Sequence, residues 1–441
     1  MNTVELKEVQ RQFPVFGRAD VIVVGAGIAG ISAAVNVARN GKTVILLEKS
    51  ILTGGLATAG HVCIYLALDD GLGHKIFGGF AEELLHTSIK YGYNTLPGQW
   101  TFGVKAVEEP EERYQTHFNI PAGVMAFDEL LEENNVQVVF DALFCEPIME
   151  GDCCKGVIVD TKEGRGAYMG KMIVDASGDA DVMYRAGARC EESKSIVSHW
   201  SYELDTRNLQ KAIDSGQAID AFSLRWIGLR PDADNTKSDL PQFDGTTLQG
   251  VNDYVKFSRR IARDFLKEHQ DRSYTMLTLP SMAQFRTSRH IVGVKTFETN
   301  ARVSIPDSVG CVCFSLHNPS GVYEFPFGAV IDQRLTNVLA AGRIVACHPG
   351  LGWETLRLIP ACAFTGQVAG TAAALALDMG CTVQDVPVEI LQDRLAQTGV
   401  MIHMDDFLRD NTTKMAYENP TAQFDPHIRN DNLAYQPHGI L

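Results

Sequence analysis

The chain has 441 residues, with 45% apolar and 21% charged side chains, an ordinary globular composition that excludes a disordered or fibrous protein. Its net charge of -15, from 39 basic against 54 acidic residues, argues against a nucleic-acid-binding face and against a polybasic membrane patch. At this length two or three structural units are expected.

The N-terminus, MNTVELKEVQRQFPVFG, mixes charges and has no apolar core of a secretory signal. The most apolar long stretch, Ile359 to Met379, carries Thr365, Gln367 and Asp378 among many small residues and reads as a packed internal helix rather than a membrane span. A cytoplasmic protein is expected. None of the ten cysteines forms a Cys-x-x-Cys pair, so buried thiols are expected rather than a redox pair or a metal site. His403-Met404-Asp405-Asp406 has no tetrahedral ligand spacing and reads as a solvated charge cluster.

Residues 19–50 carry the strongest signal. Val21 to Val24 is a β-branched run suited to a strand buried on both faces. Gly25-Ala26-Gly27-Ile28-Ala29-Gly30 follows, then a helical pattern from Ile31 to Arg39 closed by Asn40-Gly41, then a second buried strand, Thr43 to Leu47, with Glu48 at its end. Gly25 suits the tight turn, Gly27 a close approach of backbone to pyrophosphate, and Gly30 close packing of helix on strand. The helix N-terminus, with Ile28 and Ala29, offers N–H groups and partial positive charge to phosphates. Glu48 stands eighteen residues after Gly30 and can hold both ribose hydroxyls, which disfavours a 2′-phosphate. Strand, loop, helix, second strand and acidic end together predict a dinucleotide site.

The next residues bear on which dinucleotide. Lys49 and Ser50 lead into Thr53-Gly54-Gly55-Leu56-Ala57-Thr58-Ala59-Gly60, a glycine pair suited to a loop folded back over pyrophosphate and ribityl chain, which favours FAD over NAD. This stretch resembles the FAD-dependent oxidoreductase family related to fumarate reductase and succinate dehydrogenase flavoproteins. The resemblance continues at Ile173 to Asp181, where Ala176-Ser177-Gly178-Asp179 is similar to the family's Ala-Thr-Gly turn with Ser177 in place of Thr. It continues at Gln284 to Gly293, similar to an Arg-x-Ser-Arg-Arg-Ile segment with His290 replacing the second Arg of the pair. It continues again at Asn337 to Arg343 and at Arg357 to Gly370, similar to the closing flavin segment. The resemblance covers roughly residues 20 to 400. It implies an α/β fold with a Rossmann-like FAD-binding domain and a second, discontinuous α+β domain over the flavin. It adds Gly342, Arg343, Thr365 and Gly366 to the cofactor-binding residues.

The flavin-binding segments are expected at 1–60, 135–190 and 325–400, the substrate or cap domain at 61–134 and 191–324, and a C-terminal tail at 401–441. The tail holds Phe407, Tyr417, Phe424 and Tyr435 and is expected to pack on its own surface or on a neighbour. Gly71-Leu72-Gly73 and Gly350-Leu351-Gly352 lack a third glycine, so no second dinucleotide site is expected and the electron donor or acceptor is left unnamed. The catalytic candidates are Arg286, Arg289, His290 and His348. Arg and His there can bind a carboxylate or move a proton, and the competing reading is an ordinary interdomain ion pair or structural histidine. His61 follows the glycine loop directly and is a minor candidate for covalent attachment of flavin. The expected activity is hydride transfer between a small organic substrate and flavin N5, in one of two forms. One is reduction of a C=C bond beside a carboxylate, with an arginine proton donor. The other is oxidation of a CH–OH or CH–CH group, with a base. An electron-relay subunit and a structural FAD binder are the alternatives. No metal, nucleic acid or membrane partner is expected, and self-association is left open.

Overall fold

The computed structural model describes residues 12–100, 112–228, 241–269, 271–300, 304–415, 421–422 and 428–429. Its largest sheet has seven strands drawn from three separated parts of the chain. Five run parallel in the order Gln137–Val139, Val44–Leu47, Val15–Val24, Gly164–Asp175, Val338–Ala340, the 3-2-1-4-5 arrangement of a doubly wound dinucleotide fold. Val21 sits opposite Val44, and Val24 is flanked by Leu47 and Asp175. The carboxyl ends of the central strands are thereby aligned, and ligands of such sheets bind outside those ends.

Strand Gly164–Asp175 is long enough to serve two sheets' worth of partners. Its second half pairs with Val338–Ala340, and its first half turns back into an antiparallel meander with Cys153–Thr161 and Leu143–Glu150. Helix Ile28–Arg39 begins three residues before the apolar pattern suggests. It packs on helix Ile359–Met379, and small residues make the contact. A Cβ on Gly366 would lie 2.2 Å from the Ala29 carbonyl oxygen, and one on Gly370 would lie 2.4 Å from that of Ala33. Ser32 Oγ seals the pair by donating to the Ala363 carbonyl at 2.6 Å. Ile359–Met379 is long and apolar enough to cross a membrane by composition, yet 94% of its most apolar window is buried within the protein. Pro360 sits in its first turn and Gly380 closes it in the left-handed conformation.

The second domain centres on a four-stranded sheet in the order Tyr274–Met276, Ser198–Asp205, Phe222–Gly228, Ile428–Arg429. Ser198–Asp205 alternates buried and half-buried residues, as a sheet with one covered face should. Helix Leu248–Glu268 covers that region and buries Tyr254, Ala262 and Phe265. Two helices of the 61–134 segment pack beside the parallel sheet. Phe80–Ser88 and Ile120–Glu133 lie against each other and against the helices of the parallel sheet. The reason is topological: a crossover helix must precede Gln137–Val139 if that strand is to join Val44–Leu47 in parallel. In the tail, helix Asp406–Met415 is anchored by buried Glu324, which accepts from Met404 N at 3.1 Å and from Arg409 Nη2 at 2.9 Å. Tyr417, Phe424 and Tyr435 lie outside the described residues.

Candidate functional site

The glycine loop is shaped by contacts that exclude side chains. Gly25 holds φ +100°, and a Cβ there would lie 2.5 Å from the Ala176 carbonyl oxygen. A Cβ on Gly30 would lie 1.8 Å from the Gly25 carbonyl oxygen. Gly27 differs: its Cβ direction meets only the Cα of Gly55, at 3.9 Å. A space is therefore left over the start of helix Ile28–Arg39, where no side chain caps the helix and no acidic residue occupies the first turn. The first N–H groups of a helix have no partner within it, so this end suits the two phosphates of a dinucleotide.

The glycine pair does fold back over this loop. Gly54 N donates to the Ala26 carbonyl at 2.8 Å, and Gly54 and Gly55 hold φ of +93° and +56°. A short 3-10 turn, Gly55–Ala57, follows, and Thr58 Oγ1 closes it on the Thr53 carbonyl. Leu56 remains half-buried while Ala57 and Thr58 are buried. Glu48 is only 3% exposed and has a bracing role that spacing alone does not reveal. Its two oxygens accept from Ala26 N and from Ser50 N, each at 2.8 Å. Each oxygen keeps a second lone pair for a ribose hydroxyl.

The third and fourth segments meet at Asp179. Arg343 donates through Nη2 to Asp179 Oδ1 at 2.7 Å and through Nε to the Gly178 carbonyl at 2.6 Å. Ser288 Oγ donates to the same Asp179 oxygen at 2.5 Å. Burial raises the affinity of this carboxyl for a proton, but Arg343, these hydrogen bonds and the charge of exposed Lys49 hold it below its usual range. Ala176 N continues the sheet to the Val24 carbonyl, and Ser177 Oγ accepts from Asp181 N at 3.0 Å. Gly342, at φ +84°, donates to Thr365 Oγ1 at 3.0 Å. Gly366 is accounted for by helix packing, as its contact with Ala29 shows.

The four catalytic candidates do not form one constellation. Arg289 and His290 lie on strand Arg289–Ile291, where adjacent residues point to opposite faces. Arg289 is drawn to Glu192 at 3.0 Å, to Asp181 at 3.6 Å and over the ring of Tyr184 at 3.8 Å, so it clamps the two domains. His290 is buried against Trp353, its Nε2 3.0 Å from the Cys347 carbonyl. A carbonyl only accepts, so Nε2 carries the proton, and burial lowers the tendency of the ring to take a second one. His348 is 61% exposed, 3.4 Å from Glu298 at the surface. The structure thus places these three in an interdomain clamp, in the core and in a surface pair.

Arg286 is half-buried. Its Nη2 donates to Ser198 Oγ at 3.2 Å, and its charge reaches Glu354, which Arg357 Nε meets at 2.8 Å. Burial pushes the Glu354 carboxyl up, but Arg357 and Arg286 hold it ionised below its usual range. Two histidines that spacing did not bring together lie close to one another. His61 Nδ1 is 3.3 Å from the Trp200 carbonyl, and His199 Nε2 is 2.9 Å from Ser201 Oγ. His61 is one of four non-glycine residues described at positive φ, at +60°. Such backbone strain concentrates at functional sites. Contact of Nδ1 with a carbonyl places the proton there and leaves Nε2 as an acceptor. Burial lowers the pKa of His61, so the ring is neutral near pH 7.

His199 has a consequence for stability. Burial, with His61 and Arg259 adding to it, depresses its pKa from 6.5 to about 4. Below pH 6.5 the unfolded chain takes a proton that the folded ring refuses, so this contribution is present above 6.5 and is lost as pH falls towards 4. The loss amounts to about 3 kcal/mol. His199→Gln should flatten the fall in unfolding free energy between pH 6.5 and 4, as measured by urea titration. An unchanged slope would discount the effect.

A parallel 3-2-1-4-5 sheet, an uncapped helix end beneath a glycine loop and a buried acid at the second strand define a dinucleotide-binding protein of the flavoprotein class. The sequence model described as FAD dependent oxidoreductase matches residues 20–200 and 193–395. The chain belongs to that family, and FAD is its cofactor. A thioredoxin reductase of Ureaplasma parvum serovar 3 is 32% identical over 74 residues, 17% of this chain and 24% of that protein. The matched part thus spans about a quarter of that relative's length. Among solved structures, the anhydrotetracycline hydroxylase OxyS from Streptomyces rimosus is 14% identical and has a TM-score of 0.44. That match covers 87% of this chain and 66% of OxyS. The L-proline dehydrogenase from P. horikoshii is 15% identical with a TM-score of 0.39, over 88% of this chain and all of that one.

Proposed function

We propose that this protein is an FAD-dependent oxidoreductase that oxidises a small organic substrate at a CH–OH carbon, with His61 taking the proton. When bound, FAD supplies the two-electron acceptor, at its N5, for the hydride that leaves carbon. The observation that carries the reading is His61 itself: a neutral, strained histidine one residue past the Gly54–Gly60 loop, with Nδ1 anchored and Nε2 left to accept. A general base is most effective when its pKa lies near the working pH.

The chain's own residues would divide the remaining work. Gly25, Gly27, Ile28, Ala29 and Gly30 would offer backbone to the phosphates, and Glu48 would accept from the ribose. Lys49, Gly54, Gly55, Leu56, Ala57 and Thr58 would cover the middle of the cofactor. Ala176, Ser177, Gly178, Asp179, Gly342, Arg343 and Thr365 would line its other side. Arg286, backed by Glu354 and Arg357, would orient the substrate. The likeness to fumarate reductase and succinate dehydrogenase flavoproteins rests on the stretch through Gly60, the Ser177 turn, the Gln284–Gly293 segment and the closing segments at Asn337–Arg343 and Arg357–Gly370. Reduction of a C=C bond would need an arginine as proton donor, and Arg286, hydrogen-bonded to Ser198 and backed by an ionised Glu354, is better suited to holding charge.

A visible spectrum of the purified, desalted protein is the first test. Bands at about 375 and about 450 nm that bleach anaerobically with an alcohol substrate support the reading. Failure of every alcohol to bleach, with reoxidation of reduced flavin by unsaturated acids, reverses the direction of reaction. A colourless protein that FAD cannot reconstitute removes the proposal. Because a proton-accepting His61 needs a free Nε2, acid precipitation should leave all yellow colour in the supernatant. Colour retained in the pellet would mean that a covalent link occupies a side chain.

A further inference from the structure

Helix Leu248–Glu268 presents two unlike faces. Tyr254, Ser258, Ala262 and Phe265 are buried. Lys256, Arg259, Arg260, Arg263 and Lys267 recur at steps of three and four, which sets them on one side of the helix, and all five are exposed. At about 1.5 Å per residue they make a stripe about 16 Å long. Lys267 meets Asp264 at 3.1 Å, whereas among the described residues the other four cations have no carboxylate partner. The charge of Arg259 is felt at His199, where it helps to keep the ring unprotonated. In a chain of net charge -15 such a stripe is a local reversal of sign.

The stripe borders an open groove of about 440 Å³ between this helix and strand Tyr274–Met276. Arg263 and Lys267 line it together with Leu266, Tyr274 and Met276. Asp271, the acid on its wall, accepts from Ser273 N at 2.6 Å. Beyond Met276 the chain continues as an exposed strap, with Leu277 48% and Leu279 53% accessible. The strap ends on the flavin loop: Ser281 N and Met282 N donate to the Ala59 carbonyl at 2.9 and 3.2 Å. On the way, Thr278 Oγ1 lies 3.4 Å from His61 Nδ1. One piece of chain, Tyr274 to Met282, thus joins the groove to the flavin loop.

We propose that the stripe and the groove dock an acidic protein, a one-electron carrier that reoxidises the flavin. Flavin reduced by substrate holds the two electrons of the hydride. Two carrier molecules dock in turn and each gains one electron, while the proton that came with the hydride leaves to solvent. This role rests on the oxidoreductase reading above; docking by charge does not.

Three other occupants fit less well. A second copy related by a two-fold axis would set stripe against stripe, like charge against like. A nucleic acid or an anionic bilayer extends well past the stripe and meets the surrounding acidic surface, beginning with Asp253 and Glu268 on the flank of the same helix. A compact acidic patch on a small protein matches the stripe, and the apolar groove supplies the contact that charge alone lacks. Opposite charge also speeds encounter, which suits a partner that must arrive and leave twice per turnover.

The test uses two acidic carriers, plastocyanin and a plant-type ferredoxin, isotope-labelled and titrated with the purified full chain at low salt under NMR. Broadening confined to the acidic face of at least one carrier is expected, fading as salt is added. The double variant Arg260→Glu/Arg263→Glu, at two exposed positions, should weaken binding about tenfold with an unchanged thermal midpoint. Lys162→Glu, 91% exposed in the other domain, should leave binding as it is. Oxidised plastocyanin is then mixed anaerobically with photoreduced protein, and loss of its blue copper band is timed. The double variant should slow that loss about tenfold and speed the reduction of basic cytochrome c. No binding of either carrier, or binding and reduction that the double variant leaves unchanged, overturns the proposal. Binding without reduction of plastocyanin overturns it as an electron-transfer surface. A DNA oligonucleotide that outcompetes both carriers, and is itself lost in the variant, gives the stripe to nucleic acid and overturns it too. Carriers that bind at the stripe of a protein unable to take up FAD leave the docking surface standing while the oxidoreductase reading falls.

Discussion

Gly30→Ala is expected to yield a colourless, destabilised protein, whereas Gly27→Ala yields a colourless protein of normal stability. At Gly30 the added methyl would fall 1.8 Å from the Gly25 carbonyl oxygen, 2.9 Å from its carbon and 3.3 Å from Ala176 Cβ. Two of those atoms are backbone, and Gly25 has no room to retreat because Ala176 closes on it from the far side. The loop must move, at about 1–3 kcal/mol or more, and it carries the helix N–H groups away from the phosphate position. At Gly27 the methyl meets nothing nearer than 3.9 Å in the protein and fills the space left for pyrophosphate. FAD affinity should fall by at least about a hundredfold in both variants, equivalent to about 2.7 kcal/mol. The ratio of flavin to protein absorbance and the thermal midpoint of the apoprotein measure the two effects separately. A yellow Gly27→Ala protein, or a Gly30→Ala protein with wild-type midpoint and colour, would show that the phosphates lie elsewhere.

His61→Asn is expected to slow flavin reduction by substrate about 10²–10⁴-fold while leaving flavin content unchanged. Asparagine is chosen because it tolerates the left-handed backbone that His61 adopts at φ +60°. Its amide can still donate towards the Trp200 carbonyl but offers no basic nitrogen. The pH profile adds a second readout. Burial lowers the His61 pKa below its ordinary value of 6.5. The wild-type rate should therefore rise with pH through a midpoint below 6.5 and then level off, since the base must be unprotonated. That acid limb should vanish in the variant. A variant within about threefold of wild type, with the same acid limb, would assign the proton to another group.

Much of the cofactor side is legible in the chain because it depends on neighbours in sequence. A β-branched run, glycines at fixed spacing and an acid at the second strand end dictate local geometry, and the loop of Gly54 and Gly55 closes on Ala26 as the spacing suggests. The catalytic side is not legible in the same way. Whether Arg289 faces substrate or ions depends on Asp181 and Glu192, and the surface position of His348 is fixed by Glu298. The positive φ of His61 leaves no mark in composition, because a histidine adopts either backbone region and only the fold selects between them. Where the helices within 61–134 pack is not legible locally, because which sheet they cover is decided by the strand that follows them. The bracing of the glycine loop by Glu48 was hidden because spacing alone shows only the outward-facing use of a carboxylate.

The closure of the parallel sheet by Val338–Ala340, and of helix Ile28–Arg39 by Gly366 and Gly370, has a consequence for how the protein is made. The glycine loop leaves the ribosome early, but roughly three-quarters of the chain must be translated before its last flanking strand exists. Until then the nascent polypeptide presents the small-residue face of Ala29 and Ala33 bare. Loading with FAD is therefore expected only late in synthesis or after it, and the wait exposes an apolar helix to chaperones or to aggregation.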